Sequence, residues 1–204
     1  MKKFRRHCQA VKLIGVFSLL LIVGCTPTTS AYRLSPSPAA DGTRAAIVLP
    51  VPTDPALRAY LGLEATDTFT LTDIQTDVLL IEVFDFYCPH CQREAPNVNR
   101  LYRRISRDPD LRERIKLIGI GVSNTRFEVN QFRQSFDIPF PLFPDRSREI
   151  ARYLDVRQTP TFIGFVWETG GKPERFLYLQ GGMGDVDTFL SKVIRLSANA
   201  IRQD

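Results

Sequence analysis

The chain has 204 residues, of which 44% are hydrophobic and 24% charged, a composition that suits one globular domain with appended segments. Its formal net charge of +5 comes from residues 1–24, which contain no acidic residue. The basic residues of this stretch are Lys2, Lys3, Arg5, Arg6 and Lys12. Because basic and acidic residues balance in the remainder, the charge gives no basis for a nucleic-acid-binding surface, and we expect no nucleic-acid partner.

Residues 1–24 have the pattern of an export signal. Lys2–His7 is a positively charged stretch, and Leu13–Val23 is an apolar stretch shorter than the about 20 residues that a membrane-spanning helix needs. Ile22–Cys25 (IVGC) resembles the bacterial lipobox. This resemblance implies cleavage before Cys25 and attachment of lipid to its sulfur and its amine. An uncleaved signal anchor and an ordinary signal peptide are the alternatives.

The segment after Cys25 is predicted to be a tether. Thr26–Arg44 is rich in Thr, Ser, Pro and Ala, which is typical of a flexible linker. Residues 25–45 would therefore connect a lipidated cysteine to a domain of residues 46–204. That domain is expected to begin with three short elements: an edge strand at Ala46–Val51, a helix at Asp54–Leu63 with Asp54 as N-cap and Pro55 at its first position, and an extended piece at Thr68–Leu71.

A Cys-x-x-Cys motif, Cys88-Pro89-His90-Cys91, lies between a predicted strand and a predicted helix. The apolar run Val78–Tyr87 indicates a buried strand, and Gln92–Arg107 has apolar residues at the helical period, with Pro96 expected to kink the helix or to end its first part. The first cysteine would then lie at a helix N-terminus, where free N–H groups and the helix dipole favour thiolate over thiol. The thiolate is the reactive species, so the position predicts a redox-active dithiol.

The other cysteines support a redox pair over a structural disulfide or a metal site. The chain contains Cys8, Cys25, Cys88 and Cys91; Cys8 would be removed with the signal and Cys25 would carry lipid, which leaves Cys88 and Cys91 in the domain. A single disulfide closing so short a loop would stabilise the fold little. The sequence has no second cysteine pair or histidine cluster for zinc, and Gln92 replaces the histidine of a haem-attachment site. We therefore expect no metal and no cofactor beyond the two cysteines.

The remaining pattern predicts alternating strands and helices followed by a hairpin. The predicted elements are a strand at Lys116–Val122, a helix at Arg126–Phe136 capped by Ser123 or Asn124, an extended piece at Phe140–Phe143, a short helix at Ser147–Leu154, a hairpin of Thr161–Glu168 and Arg175–Gln180, and a helix at Asp185–Leu196 capped by Asp185. Such alternation predicts an α/β domain whose mixed central sheet carries helices on both faces.

This order and motif resemble the thioredoxin fold. Glu82 stands six residues before Cys88, where the family has a buried carboxylate, and Thr159-Pro160 stands where the family has its cis-proline. Cys91–Pro96 (CQREAP) resembles the corresponding sequence of the TlpA/ResA-like branch. Members of that branch have an extra strand–helix unit before the cis-proline, and Lys116–Phe136 would form this unit here. The Pro-His dipeptide between the cysteines instead resembles that of DsbA.

The resemblance implies a role for each site residue. Cys88 would be the nucleophile, and Cys91 would resolve the mixed disulfide. His90 would stabilise the Cys88 thiolate, or else only face solvent; Glu82 would relay a proton to Cys91, or else lie at a solvent-facing edge. Substrate would bind at Thr159, presented by cis-Pro160, and at these residues near the motif: Phe86, Tyr87 and Pro89. Core packing alone would explain Phe86 equally well.

The resulting hypothesis is a lipid-anchored thiol–disulfide oxidoreductase of the cell envelope. It would exchange disulfides with exported proteins and be recycled by a membrane redox partner, in a direction that the motif leaves open. Thr26, rather than Asp, after the lipidated Cys25 favours the periplasmic face of an outer membrane where two membranes exist. The alternative is a lipoprotein that binds metal or protein through the same dithiol without turnover.

Overall fold

A computed structural model of the protein describes residues 47–64, 66–167 and 173–202. The predicted signal segment and tether, residues 1–45, lie outside these ranges. Within them, no helix has both the length and the apolar character needed to cross a bilayer.

The described residues form strands and helices in close agreement with the predicted order. The strands are β1 (Val48–Pro50), β2 (Thr68–Thr70), β3 (Val78–Phe84), β4 (Ile115–Val122), β5 (Leu142–Asp145), β6 (Thr161–Trp167) and β7 (Pro173–Gln180). The helices are α1 (Pro55–Leu61), α2 (Pro89–Arg107), α3 (Pro109–Arg114), α4 (Arg126–Ser135), α5 (Glu149–Tyr153) and α6 (Val186–Ile201).

Five of the strands form one mixed sheet in the order β5-β4-β3-β6-β7. β3, β4 and β5 run parallel, whereas β6 is antiparallel to β3 and β7 is antiparallel to β6. β1 and β2 pair with each other in a separate antiparallel sheet. The predicted mixed sheet is therefore confirmed, and the strand and helix expected within Lys116–Phe136 are β4 and α4.

The central strand β3 separates two apolar cores, and all of its residues are buried. Val78, Leu80 and Phe84 pack with α2, α4 and α6 on what we call the α2 side of the sheet. Leu79, Ile81 and Val83 pack on the opposite side, with α1, α5 and the β1–β2 pair. Alternate residues of a strand point to opposite faces, so a continuous apolar run is what a sheet covered on both faces requires. Burial of this strand places its C-terminal end, and the motif that follows, at a fixed point of the fold.

The helix N-termini confirm two predicted caps and correct a third. Asp54 accepts a hydrogen bond from Ala56 N at 2.8 Å, and Asp185 accepts one from Thr188 N at 2.9 Å. The cap of α4 is Thr125, not Ser123 or Asn124, and Thr125 forms a capping box with Glu128. Asn124 does not cap because its side chain bonds a different part of the chain.

Several element boundaries also differ from the prediction, and the last helix, α6, runs to Ile201 rather than ending at Leu196. β3 ends at Phe84 rather than Tyr87, because residues 85–87 form a turn, and α2 begins at Pro89 with Cys88 as its N-cap residue. Pro96 lies inside α2 without ending the helix. The extended piece expected at Phe140–Phe143 is β5, at Leu142–Asp145, where Leu142 pairs with Gly119.

Candidate active site

Cys88 and Cys91 lie at the start of α2, directly after the C-terminal end of the central strand. Cys88 is the half-buried N-cap residue of the helix, and Cys91 is fully buried one turn later. Both are free thiols. Only the first sulfur is therefore placed to meet a partner from outside the protein.

Two opposing effects set the pKa of Cys88. Partial burial acts to raise the pKa of the thiol, but hydrogen bonds from the Thr159 side chain, from Cys91 and from the His90 backbone outweigh it, so the pKa of Cys88 lies below its ordinary value. These donors include backbone N–H groups of the first helical turn, which the helix itself leaves unpaired. The position thus favours the reactive thiolate.

Cys91 has the opposite property. Burial raises the pKa of the Cys91 thiol well above its ordinary value, although hydrogen bonds from the Asp85 backbone and from Thr159 act against that rise. A buried thiol of raised pKa is inert until something removes its proton. The two cysteines are therefore chemically unequal.

The segment at Thr159 and Pro160 lies against the Cys88 sulfur. The Thr159–Pro160 peptide bond is cis, as the resemblance implies. The Cys88 Sγ lies 3.5 Å from the Thr159 carbonyl oxygen. Thr159 is half-buried and Pro160 is buried, so of this pair Thr159 is the residue that lies toward the surface beside the thiol.

Glu82 is a buried carboxyl on the α2 side of the sheet, the same side as Cys91. Only 1% of its surface is exposed, and neither carboxyl oxygen has a hydrogen-bond partner. Burial, with a further contribution from the charge of Glu94, raises the pKa of Glu82 to about 8. The alternative of a solvent-facing edge carboxylate is wrong, and the raised pKa favours the protonated form of Glu82.

The imidazole of His90 contacts an arginine rather than the thiol. His90 is exposed, and its Nδ1 lies 2.8 Å from an Arg93 guanidinium nitrogen. Because arginine only donates, Nδ1 accepts this hydrogen bond. The hydrogen bond that His90 contributes to Cys88 comes from its backbone. Stabilisation of the thiolate by the imidazole stays a prediction.

The residues before the motif form a turn that is held by hydrogen bonds and presents an aromatic surface. Phe86 is half-buried against the core on the α2 side, whereas Tyr87 is 64% exposed, and Pro89 is also exposed. The two rings meet edge to face, with centroids 4.9 Å apart. The Tyr87 hydroxyl donates to Glu128 Oε1 at 2.8 Å, and Gln92 Nε2 donates to the Phe86 carbonyl at 2.8 Å. An apolar surface thus adjoins the reactive sulfur.

Two further predictions concern metal ligands and lipid attachment. Across the described ranges, no group of three or more His, Cys, Asp or Glu side chains is arranged to hold a metal ion. Cys25, the predicted site of lipid attachment, lies outside the described residues.

Sequence reasoning missed the residues that support the site. Arg93 lies three residues after His90 on a helix, a spacing that brings side chains together and was a usable signal. Asp85 and Asn124 contact each other across 39 positions of sequence. No local pattern indicates such a contact.

Comparison with curated proteins finds relatives that are named thiol-disulfide oxidoreductase ResA. The chain is 23% identical over 107 residues to the protein of that name from Geobacillus thermodenitrificans, covering 52% of this chain and 58% of the relative. It is 25% identical over 146 residues to the one from Bacillus thuringiensis subsp. konkukian, covering 65% and 78%. The first alignment thus spans less than two thirds of that relative's own length.

Solved structures show the same fold at low sequence identity. The structure of MTB dsbF in mixed oxidized and reduced forms superposes with a TM-score of 0.51 at 18% identity, covering 68% of this chain and 97% of that one. A thioredoxin-like protein from Aeropyrum pernix gives a TM-score of 0.51 at 15% identity, covering 74% and 88%. The fold is therefore thioredoxin-like, as the sequence resemblance implies.

A family model extends this comparison over most of the domain. The AhpC/TSA model matches residues 53–183, a range that contains the Cys-x-x-Cys motif, the inserted β4–α4 unit and the cis-proline. The chain belongs to the AhpC/TSA family.

Proposed function

We propose that the chain is a thiol–disulfide oxidoreductase of the cell envelope that acts through Cys88 and Cys91. One observation carries the proposal: two free thiols share a helical turn, and only the half-buried one has a lowered pKa. That asymmetry is what a nucleophile and a resolving cysteine need. The relatives named thiol-disulfide oxidoreductase support the same reaction class.

The exchange runs in two displacements. In the reducing direction, the Cys88 thiolate attacks one sulfur of a substrate disulfide and releases the other as a thiolate, which leaves a mixed disulfide. Cys91, once deprotonated, attacks the Cys88 sulfur and releases the second substrate thiol. Two electrons pass to the substrate, and a Cys88–Cys91 disulfide forms. The oxidising direction is the reverse of these steps.

Glu82 is proposed as the proton acceptor and donor for Cys91. Both groups are buried on the α2 side of the sheet, and both have raised pKa values because of that burial. A carboxyl with a pKa of about 8 can take up and release a proton near neutral pH, as a relay must.

Substrate polypeptide is proposed to bind along Thr159 and over the aromatic surface beside Cys88. The Thr159 backbone adjoins the reactive sulfur, so a substrate strand pairing there would bring its own cysteine close. Phe86, Tyr87 and Pro89 would contact apolar side chains of flexible or unfolded segments. His90 would adjust the reactivity of Cys88.

Anchoring at the membrane completes the proposal. The lipobox-like sequence before Cys25 supports lipid attachment there, with the domain at the periplasmic face, and the outer membrane favoured where two exist. The partners would be exported proteins with thiols or disulfides, and a membrane protein that recycles the dithiol. No cofactor beyond the cysteines is proposed.

The reduction potential of the Cys88–Cys91 pair tests the function and decides its direction. We would equilibrate the full-length protein in detergent with glutathione buffers and quantify the disulfide by alkylation and mass spectrometry. The Pro-His dipeptide favours an oxidant, with a potential near the about −120 mV of DsbA. The TlpA/ResA-like frame favours a reductase, with a potential near the about −270 mV of thioredoxin.

The matched variants are C88S and C91S. We expect C88S to abolish exchange with a disulfide substrate and C91S to accumulate the mixed disulfide. Failure of the wild-type pair to form an intramolecular disulfide would overturn the enzymatic proposal. Stoichiometric binding of Cu(I) or Zn(II) by the reduced protein, without exchange activity, would then support the dithiol binding module.

A further inference from the structure

A buried amide side chain, Asn124, is bonded to the turn that precedes the reactive cysteine. Only 1% of its surface is exposed. Its Oδ1 accepts a hydrogen bond from the Phe86 backbone N–H at 2.9 Å, and its Nδ2 donates to Asp85 Oδ1 at 3.0 Å. Both functional atoms of this side chain are therefore used on two consecutive residues of one turn.

Asp85 extends these bonds to the reactive cysteine. Its Oδ1 also accepts from the Tyr87 backbone N–H at 3.0 Å, and its carbonyl oxygen accepts from Cys88 N at 3.0 Å. The position of residues 85–87 thus fixes where Cys88 lies relative to the first turn of α2.

The backbone beside Asn124 is in an unusual conformation. Ser123 has φ 61°, a left-handed conformation that non-glycine residues adopt rarely, and its N–H donates to the Asp145 carbonyl at 2.9 Å. Unfavourable backbone of this kind is concentrated at functional sites. Here it occurs in the residue immediately before the side chain that reaches the active-site turn.

Helix α4, which follows Asn124, makes a second contact with the Asp85–Tyr87 turn. Thr125 is the N-cap residue of this helix. Glu128 of this helix accepts a hydrogen bond from the Tyr87 hydroxyl at 2.8 Å. Gly121, at the end of β4, leaves the space that Asn124 fills, because a Cβ there would lie 3.1 Å from Asn124 Oδ1. The inserted β4–α4 unit therefore contacts the active-site turn through two polar side chains.

We propose that Asn124 is a positioning residue that holds the Asp85–Tyr87 turn and thereby tunes the reactivity of Cys88. This inference rests on the proposed thiol–disulfide exchange. Cys88 reacts as a thiolate at the N-terminus of α2, where the unpaired N–H groups of the first turn and the helix dipole favour the charged sulfur. The turn that Asn124 holds is hydrogen-bonded to Cys88 N through Asp85, so loss of the Asn124 bonds would release Cys88 from this position.

The test compares the wild-type full-length protein with N124A. We expect alkylation of Cys88 by iodoacetamide at pH 7 to slow by about threefold to tenfold, a factor that corresponds to the net free energy of about one hydrogen bond. The equilibrium constant with glutathione is expected to move toward a more stable disulfide, because a less stabilised thiolate disfavours the reduced form. If N124A does not fold, N124S gives the same comparison, since its hydroxyl keeps one polar group in the same space.

The matched control is N99A. Asn99 is also buried. Its Nδ2 donates to the Phe136 carbonyl at 2.7 Å, and Phe136 lies directly after α4, away from the turn that precedes the cysteines. We expect N99A to lower the midpoint of urea unfolding while leaving the Cys88 alkylation rate at the wild-type value. A D85A variant and the double variant N124A/D85A complete a cycle, in which the effects on alkylation should be less than additive.

Two outcomes would count against different claims. If N124A and N124S alkylate and equilibrate like the wild type while losing stability as N99A does, Asn124 is only structural and the positioning role is overturned. If the wild type itself forms no Cys88–Cys91 disulfide, the proposed exchange activity fails, whatever the variants do.

Discussion

Cys88 and Cys91 differ in reactivity although they share one helical turn. Hydrogen bonds lower the pKa of the half-buried thiol despite its partial burial, while burial raises the pKa of the other. We predict that iodoacetamide at pH 7.5 modifies Cys88 at least about tenfold faster than Cys91, since each pKa unit changes the thiolate fraction about tenfold. Peptide mass spectrometry of the reduced protein over time measures both rates.

The rate at Cys88 should also depend on pH in a defined way. It is expected to rise with pH and level off at a midpoint below that of a free cysteine thiol. The C91S variant is the control, because its labelling reports Cys88 alone. Equal labelling of both cysteines in the native protein would contradict the assigned roles.

Glu82 should make the stability of the fold depend on pH. Its pKa is about 8 in the folded protein and about 4.5 for a glutamate exposed to water, so between these values the folded state binds more protons than the unfolded state. The sign follows: stability falls as pH rises through this window, by about 1.4 kcal/mol per pH unit for one group. Urea unfolding at several pH values, compared with E82Q, measures the slope.

The E82Q variant isolates this group because glutamine stays neutral at every pH. We expect the difference in unfolding free energy between E82Q and wild type to grow with pH between about 4.5 and about 8 and then to level off. A constant difference over that window would show that Glu82 ionises normally. Turnover by E82Q should slow at the step that deprotonates Cys91.

At the scale of elements, β4 packs closely against both α4 and β5. A Cβ on Gly121 would lie 2.7 Å from a Val129 methyl group and 3.2 Å from the Phe84 ring, both in the core. On Gly119 the nearest atom would be the terminal methyl of Leu142, at the end of a more flexible side chain. We predict that G121A lowers the unfolding free energy by about 1–3 kcal/mol and that G119A lowers it less.

Urea unfolding of the two variants measures this difference directly. Each changes one glycine of the same strand to alanine, so strand propensity cancels in the comparison. A larger loss for G119A would mean that Leu142 is held more firmly than Val129. Because Asn124 packs against Gly121, G121A is also expected to slow Cys88 alkylation.

The elements that sequence predicts well here are those fixed by local pattern. The apolar runs of β3 and β4 and the capping residues Asp54 and Asp185 lie where the pattern places them. Helix α3 was missed, although Asp108 and Pro109 form the same N-cap and first-position pair as Asp54 and Pro55. Boundaries set by strand pairing, such as that of β5 against Gly119, depend on contacts remote in sequence.

In the candidate active site, too, the features set by local sequence could be predicted and those set by contacts remote in sequence could not. The start of α2 at the motif could be predicted because helix signals are local, and the contact between Cys88 and Thr159 was expected only through resemblance to a known fold. Local sequence offers Asn124, as an alternative to Ser123, as the cap of α4, because capping is a common local use of asparagine. It bonds residues 38 and 39 positions away instead, and only the packing of β4 beside β3 brings them together.

For the whole molecule, the sheet connects the chemistry to the core. The reactive turn follows the central strand, the cis-proline precedes its neighbour β6, and Asn124 follows its other neighbour β4. Three consecutive strands of the sheet thus each contribute a backbone or side-chain group to one site. The β4–α4 unit is therefore part of the active-site support as well as of the sheet.

Cys25 is the residue through which we expect the protein to be attached to the membrane. A single acyl chain gives only reversible binding, whereas lipid on both the sulfur and the amine of Cys25 would give stable anchoring. We predict that C25A, expressed as the full chain in a bacterial host, loses incorporation of labelled palmitate and shifts from the membrane fraction to the soluble fraction or is retained uncleaved. C8A is the matched control, because Cys8 precedes the apolar stretch and lies outside the lipobox-like sequence. Palmitate labelling that survives in C25A would refute attachment at this residue, and C8A should label as the wild type does.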